Sequence, residues 1–241
     1  MNNVTISEDD GVRSLHFGTK WVQGAMRLER PDAIELEYVQ QMMIWTLFLH
    51  NPGAIAQLGL GAGSLTKFCH RQFPLAAIRA VELDPTVTAI CRSHFALPPD
   101  DSRLRVVHMD AMAFVLDEQN HGAFDVLQVD LYDADAKGPV LDTAEFYQAC
   151  AQCLTPTGIM TVNLFCDYPD HGRNLKAMEP FFDAVAWLPE VHDGNVVAIG
   201  FKEAPSVDFS LLEQRAARIE RDLGLPAGSW VEGLQAWMQG G

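Results

Sequence analysis

From residue 54 onward, short apolar runs alternate with stretches whose apolar residues recur at helical spacing. This alternation limits the fold strongly, because strands separated by helices pair in parallel and carry helices on both faces of the sheet. The predicted strands cover residues 54–60, 76–83, 104–109, 124–131 and 158–165. The predicted helices between them cover residues 64–72, 85–95, 111–118 and 143–154. The pattern predicts an α/β protein with a doubly wound, Rossmann-like sheet.

The chain before residue 51 follows a different pattern. Two β-like runs, residues 13–17 and 20–28, flank Gly18-Thr19 and predict a hairpin. An apolar stretch at helical spacing, residues 33–50, then predicts one helix that ends at Asn51-Pro52-Gly53. These residues are expected to form a small N-terminal β-hairpin subdomain.

The remaining elements extend the α/β domain. Residues 191–201, with Asp193-Gly194-Asn195 at the turn, predict a late antiparallel hairpin. Two amphipathic helices are expected in the tail, at residues 209–223 and 229–238. We therefore divide the chain into residues 1–50, the hairpin with its connecting helix, and residues 51–241, the Rossmann-like domain with its helical tail.

The first strand–helix junction of that domain is rich in glycine. It reads Gly59-Leu60-Gly61-Ala62-Gly63, followed by Ser64. Glycines permit a tight turn and let a ligand approach the backbone. A dinucleotide-binding loop would carry a glycine where Ser64 stands, so the spacing favours another ligand. A purely structural turn explains this loop equally well.

Carboxylates lie at the carboxyl ends of the next two strands. Glu82, 19 residues after Gly63, can accept hydrogen bonds from both hydroxyls of a ribose, whereas Asp84 before Pro85 suits a helix N-cap. Asp110 follows the third strand and suits the exocyclic amine of adenine. Because open α/β sheets bind ligands at the carboxyl ends of their strands, these residues predict a nucleoside site.

Three more carboxylates, Asp130, Asp133 and Asp135, fall within six positions at the end of the fourth strand. Such crowding costs repulsion unless a proton or a cation is close. Asp135 is assigned to a solvated loop. Asp130 directly follows a buried strand, so we expect it at the edge of the cleft.

The net charge of the chain limits the classes of partner that it can bind. The chain has 17 Lys and Arg against 32 Asp and Glu, a net charge of −15. This balance disfavours nucleic acid and anionic membrane surfaces, both of which attract basic residues. A neutral or cationic small molecule fits better, although a solvated acidic surface explains the same charge.

Cysteine usage and apolar segments indicate the compartment. The longest apolar stretch, residues 42–49, is too short to cross a bilayer, and the N-terminus lacks an apolar signal core. The five cysteines lie mostly in apolar runs, as is usual in a reducing compartment. Cys150 and Cys153 have CxxC spacing without a second pair, and the eight histidines are scattered, so we expect no metal site. A cytoplasmic location is predicted.

Taken together, these motifs resemble the spermidine/spermine synthase family, the polyamine aminopropyltransferases. The segments that carry the resemblance are residues 59–64, 81–84, 103–111 and 130–133, then Gly138-Pro139 and Phe146-Tyr147. Gln23 after a short strand and Tyr38 on the following segment add to it. The resemblance implies a β subdomain joined to a methyltransferase-type Rossmann-like domain, and a possible homodimer.

The resemblance also implies ligands and roles. The co-substrate would be decarboxylated S-adenosylmethionine, a nucleoside sulfonium, and the acceptor a cationic polyamine. The residues that would bind the nucleoside are Gln23, Gly59, Gly61, Gly63, Glu82, Asp110 and Ala111. Asp130 would be the general base for the attacking amine, and Tyr38 and Asp133 would position that amine.

The chain departs from the family pattern mainly where the amine should bind. Ala62 replaces an Asp that holds the amine of the aminopropyl arm. Leu131-Tyr132 replaces small hydroxyl residues, and Val39-Gln40 replaces His-Glu. We therefore expect an altered amine site.

Three functions stay open from the sequence. The first is aminopropyl transfer with that altered amine site. The second is S-adenosylmethionine-dependent methyl transfer, which Ala62 favours because no carboxylate there repels the carboxylate of the intact compound. The third is a non-catalytic relative that binds a nucleoside.

Overall fold

The computed structural model describes residues 4–132, 140–165, 171–191 and 194–240. Within these ranges the chain first forms a three-stranded antiparallel sheet in the order β1-β2-β3. Its strands are β1 (Val4–Asp9), β2 (Val12–Phe17) and β3 (Gly24–Arg27). The predicted hairpin is present as β2 and β3, paired from Val12 with Arg27 to Leu15 with Gly24, so its connection is longer than Gly18-Thr19.

The sequence analysis missed β1. Its side chains are mostly exposed, so the strand carries no apolar face that alternation could reveal. The local signal is Asp10-Gly11, a dipeptide typical of tight hairpin turns. Both residues have positive φ, 44° and 73°, as such a turn requires.

The larger sheet has seven strands among the described residues, in the order β6-β5-β4-β7-β8-β10-β9. Its strands are β4 (Ala54–Leu58), β5 (Ala77–Glu82), β6 (Leu104–His108), β7 (Phe124–Val129), β8 (Leu154–Phe165), β9 (Ala184–Trp187) and β10 (Asn195–Phe201). The first five strands in that order are parallel, and β10 and β9 add antiparallel pairs. The predicted doubly wound, methyltransferase-type fold is confirmed, and its strand order reverses between β4 and β7.

Helices connect the strands and cover both faces of the sheet. They are α1 (Glu37–Gln41), α2 (Ser64–Gln72), α3 (Pro85–His94), α4 (Ala111–Leu116), α5 (Ala144–Cys153), α6 (His171–Met178), α7 (Phe209–Leu223) and α8 (Ala227–Gly240). Side chains cap several of them, as at α3, where Asp84 accepts from the Thr86 N–H at 2.8 Å and Pro85 takes the first position. This is the N-cap that the sequence predicted.

The prediction of one helix over residues 33–50 is wrong. Only α1 and a 3-10 turn, Ile44–Leu47, form there. The carbonyl of Met42 accepts hydrogen bonds from Gln128 Nε2 at 3.1 Å and Thr161 Oγ1 at 3.2 Å. Side chains of β7 and β8 thus compete for the backbone of this segment and favour its irregular path over the sheet.

The late hairpin also differs in detail. The hairpin partner of β10 is β9, paired from Ala198 with Trp187 to Phe201 with Ala184, while Val191 makes a single bridge to Asn195. The predicted turn residue Asp193 lies outside the described residues.

The irregular segment before β4 belongs to the core of the large sheet. Met42 and Trp45 are fully buried and share one apolar cluster with Ile55 and Val126. The division at residue 50 stays a prediction. In the part of the chain that the structure describes, none of the helices combines the length and the apolar character needed to span a bilayer.

Candidate active site

The glycine loop lies where β4 meets α2, and close packing explains its glycines. Gly59 has φ +92°, and a Cβ there would overlap the carbonyl oxygen of Asp130. Gly61 has φ +52°, and a Cβ there would lie 2.9 Å from the carbonyl oxygen of Gln23. The loop therefore brings the end of β7 and the start of β3 together, at a place where only glycine fits.

The N-terminal sheet packs directly on this loop. A Cβ on Gly24 would come within 2.7 Å of the Ala62 Cβ, and Ser64 Oγ donates to the Ala25 carbonyl at 3.1 Å. Ala62 is only 2% exposed, so the place where the family carries an Asp is a tight contact with β3. Gln23, half-buried, stands beside the loop at the entry of β3.

Glu82, at the end of β5, holds the glycine loop in place through a hydrogen bond. Its carboxylate accepts from the Leu60 N–H at 3.2 Å and from the Asp84 N–H at 2.9 Å. The side chain is half-buried, and burial raises its pKa against the lowering effect of these hydrogen bonds. A carboxylate has about four lone-pair sites, so acceptor capacity remains for ribose hydroxyls.

Asp110 and Ala111 lie at the neighbouring junction, between β6 and α4. Asp110 is exposed and accepts from the Ala113 N–H at 3.0 Å, which makes it the N-cap of α4. Ala111 is buried as the first residue of that helix. Asp110 therefore has a structural role that the sequence analysis gave only to Asp84. Its predicted contact with adenine stays a prediction.

Asp130 follows β7 at the reversal of the strand order. Its N–H donates to the Leu58 carbonyl at 2.9 Å, and its carboxylate accepts from Asn163 Nδ2 at 2.9 Å and from the hydroxyl of Tyr38. Burial raises the pKa of Asp130 to about 6, although both donors act in the opposite direction. Burial, and then the nearby Asp130, raise the pKa of Tyr38. The predicted base and one predicted amine-binding residue are thus in contact.

The sequence analysis missed three residues near Asp130. Asn163 on β8 and Asn195 on β10 are buried, and Asn195 Nδ2 donates to Asn163 Oδ1 at 3.0 Å. Tyr132, noted only as a departure from the family, donates its hydroxyl to the Asn163 carbonyl at 3.2 Å. An isolated amide in an apolar strand was the available signal, because buried polar groups require partners. Asp133, the second predicted amine-binding residue, lies outside the described residues.

Metal ligation is a separate question. The described ranges contain no group of three or more His, Cys, Asp or Glu side chains suited to a metal ion. The carboxylates at the carboxyl edge, Glu82, Asp110 and Asp130, instead lie at the ends of three different strands and accept hydrogen bonds from the protein.

Together the glycine loop, the acidic residues at the ends of β5 and β6 and the reversal of the strand order lie at the edge where Rossmann-like sheets of this type bind their ligands. The sequence profile of the spermine/spermidine synthase domain matches residues 36–169. A polyamine aminopropyltransferase of Chromobacterium violaceum is 31% identical to this chain, over 98% of it and 90% of the relative. The chain belongs to the spermine/spermidine synthase family.

Solved structures show the same fold at lower identity. A probable spermidine synthase from Corynebacterium glutamicum superposes with a TM-score of 0.76 at 23% identity, covering 95% of this chain and 88% of the other. Human methyltransferase-like protein 13 in complex with SAH superposes with a TM-score of 0.68 at 24% identity, covering 79% of this chain and 93% of the other. This chain and these two proteins thus share one architecture.

Proposed function

We propose that the protein transfers an aminopropyl group from decarboxylated S-adenosylmethionine to a cationic polyamine. The observation that carries the proposal is the position of Asp130. This half-buried carboxylate, bonded to Tyr38 and Asn163, has its backbone against Gly59 of the glycine loop. A group that can take a proton from an amine therefore lies beside the loop that would bind the nucleoside.

The nucleoside would lie across the carboxyl ends of β4, β5 and β6. Glu82 is the group we assign to the ribose hydroxyls, and Asp110 the group we assign to the adenine amine. Each of these carboxylates is held by backbone N–H groups, so each is oriented before the ligand arrives. Gln23 and Ala111 complete the assigned contacts, and SAH in human methyltransferase-like protein 13 supports a ligand of this class on the fold.

In the proposed reaction, the amine nitrogen attacks the aminopropyl carbon that is bonded to the sulfonium sulfur. A carbon–nitrogen bond forms, the carbon–sulfur bond breaks, and its electron pair stays on sulfur, which leaves neutral methylthioadenosine. The proton of the attacking amine passes to Asp130 and from there to solvent. Positioning and deprotonation supply most of what such a displacement needs.

The environment of Asp130 suits it to take a proton from the attacking amine. With its pKa near 6, the carboxylate is mostly ionised at neutral pH and can still hold a proton during the reaction. The hydroxyl of Tyr38 and the amide of Asn163 orient it. We assign Tyr38, together with Asp133, to positioning the amine.

The altered amine site is part of the proposal. The side chain of Tyr132 is tied to the Asn163 carbonyl and stands where the family has a small hydroxyl residue. Ala62 packs against Gly24 and brings no carboxylate to the donor's amine. We expect this chain to bind polycations more weakly than relatives with the full set of acidic residues. A homodimer and a cytoplasmic location stay predictions.

Ala62 favours a second function, methyl transfer from intact S-adenosylmethionine. Here the methyl group moves to a nucleophile and S-adenosylhomocysteine leaves. Because Ala62 is buried against β3 and has no charge, it does not repel the carboxylate of intact S-adenosylmethionine. The fold shared with human methyltransferase-like protein 13 is compatible with this reaction.

Product analysis separates the two functions. The protein is incubated with decarboxylated or intact S-adenosylmethionine and with putrescine or spermidine, and the nucleoside products are identified by mass spectrometry. We expect methylthioadenosine from the decarboxylated compound, accompanied by an amine that is longer by one aminopropyl group. S-Adenosylhomocysteine from the intact compound, with no methylthioadenosine, would establish the second function instead. The Asp130→Asn variant controls for contaminating activity.

A further inference from the structure

Strand register aligns three polar side chains at the carboxyl end of β7. Val129 pairs with Val162, so Asp130 follows opposite Asn163 on β8. Val197 pairs with Asn163, and Asn195 pairs with the residue two positions beyond Asn163, on the same face. Two hydrogen bonds connect these side chains. Asn195 Nδ2 donates to Asn163 Oδ1 at 3.0 Å, and Asn163 Nδ2 donates to Asp130 Oδ1 at 2.9 Å.

The direction of these hydrogen bonds depends on Asn195. The amide of Asn163 has one end that donates and one end that accepts. Because Asn195 donates to the accepting end, the donating end faces Asp130, which is the arrangement that stabilises an ionised carboxylate. In the opposite orientation the carbonyl oxygen of Asn163 would face Asp130, and only a protonated acid could bond it. Amide orientation and proton occupancy are therefore linked.

We infer that Asn195 is a positioning residue for Asp130: by fixing the amide of Asn163, it keeps the carboxylate ionised and oriented without contacting it. The inference rests on the proposed role of Asp130 as the base. Asn163 is 1% exposed and Asn195 8% exposed, so solvent competes little for either amide.

Among the described residues, few other groups affect the ionisation of Asp130. From α1, the hydroxyl of Tyr38 donates to it, and burial is the main influence that raises its pKa. From the chain just after β7, the hydroxyl of Tyr132 donates to the Asn163 carbonyl. The glycine loop, residues 59–63, carries no ionisable side chain, and β8 and β10 face Asp130 with the two amides. Asp133 lies outside the described residues.

The test measures the pKa of Asp130 directly. Carboxyl ¹³C resonances of aspartate-labelled protein are followed against pH, and Asp130 is assigned by the signal that disappears in Asp130→Asn. Asn195→Asp changes a donor into an acceptor, so Asn163 should turn and present its carbonyl oxygen. We expect the pKa of Asp130 to rise by more than about one unit in this variant, because the favourable bond is lost and a like charge is added.

Two further variants keep the inference falsifiable. Asn195→Leu has a similar volume and removes the donor without adding charge, so the pKa should rise by about half a unit. If Asn195→Asp fails to fold, the pKa of Asp130 in Asn195→Leu tests the inference by itself. Asn120→Asp is the matched control, because Asn120 is also a buried asparagine but bonds Arg79 and the Phe114 carbonyl. It should leave Asp130 unchanged. Shifts within about 0.3 units in every Asn195 variant that folds would overturn the inference.

The measurement needs no substrate, so it separates this inference from the proposed function. If methylthioadenosine forms, the acidic limb of the rate–pH profile should move in Asn195→Asp by the same amount as the pKa. If no amine is ever modified but the pKa moves, the positioning of Asp130 stands and the proposed function fails.

Discussion

The glycine loop and the cluster around Asp130 lie side by side, yet different parts of the chain hold them. In the nucleoside half, defined as the loop with Glu82 and Asp110, backbone atoms meet backbone atoms and carboxylates accept from N–H groups. In the amine half, defined as Tyr38, Asp130, Asn163 and Asn195, side chains from α1, β7, β8 and β10 bond one another. The first half is fixed by main-chain geometry, and the second by the identity of single side chains.

This difference predicts where the chain tolerates substitution. A backbone site has few acceptable substitutions, because a Cβ at Gly59 would overlap the Asp130 carbonyl. A side-chain site can change its hydrogen bonds through single replacements. The glycines of the nucleoside half are therefore expected to stay constant, whereas substrate choice is expected to change through single side chains, in the amine half and at Ala62.

The largest loss of stability is expected in the nucleoside half. Gly59→Ala should lower the free energy of unfolding by about 3 kcal/mol or more, because positive φ and a backbone clash combine. It should also abolish binding of methylthioadenosine. Gly122→Ala is the control, because Gly122 also has positive φ, +62°, but open space at its Cβ. That variant should lose only about 1 kcal/mol and bind normally. Equal losses, measured by urea unfolding, would show that packing at Gly59 is unimportant.

A smaller effect is expected at Glu82. Glu82→Gln keeps the shape of the side chain but removes its charge, so methylthioadenosine should bind about 10- to 100-fold more weakly in titration calorimetry. Asp84→Asn is the comparison, because Asn also caps helices well and the Asp84 carboxylate accepts from the Thr86 N–H at the start of α3. Unchanged affinity in Glu82→Gln would remove that carboxylate from the nucleoside site.

Asp130→Asn should make the protein more stable at pH 8. The folded-state pKa of about 6 exceeds the ordinary value of 3.8, so stability falls as pH rises through this window. Removing the charge should restore up to about 3 kcal/mol at pH 8 and almost nothing at pH 4. Asp101→Asn should act in the opposite direction at pH 8, since backbone N–H groups of Leu104 and Arg103 lower the pKa of Asp101 to about 2. A loss of stability at pH 8 in Asp130→Asn would contradict the claim that burial raises the pKa of Asp130.

The smallest effect is expected at Tyr38. Tyr38→Phe removes a donor to the Asp130 carboxylate, so the acidic limb of the rate–pH profile should move upward by about half a unit. The matched control is Tyr147→Phe, because Tyr147 is buried and donates to Asn174 elsewhere in the domain. An equal shift in the control would mean that the change at Tyr38 acts through general packing.

More of the nucleoside half than of the amine half could be predicted from the sequence. The glycine loop and the positions of Glu82, Asp110 and Asp130 at strand ends could be predicted, because periodicity and turn residues are local signals. The bond from Asn195 to Asn163 could not, since it depends on which strands become neighbours and in which register. The predicted helix over residues 33–50 failed for the same reason. Its backbone is bonded by Gln128 and Thr161, which are remote in the chain.

The division of labour between the two halves can be tested in the Asp130→Asn variant. Its affinity for methylthioadenosine is measured by calorimetry, and its single-turnover rate is measured with decarboxylated S-adenosylmethionine and the amine that the wild type prefers. We expect an affinity within about threefold of the wild type and a rate lowered by about 10²- to 10⁴-fold, as for loss of a general base. A wild-type rate, or loss of nucleoside binding together with the rate, would contradict this account.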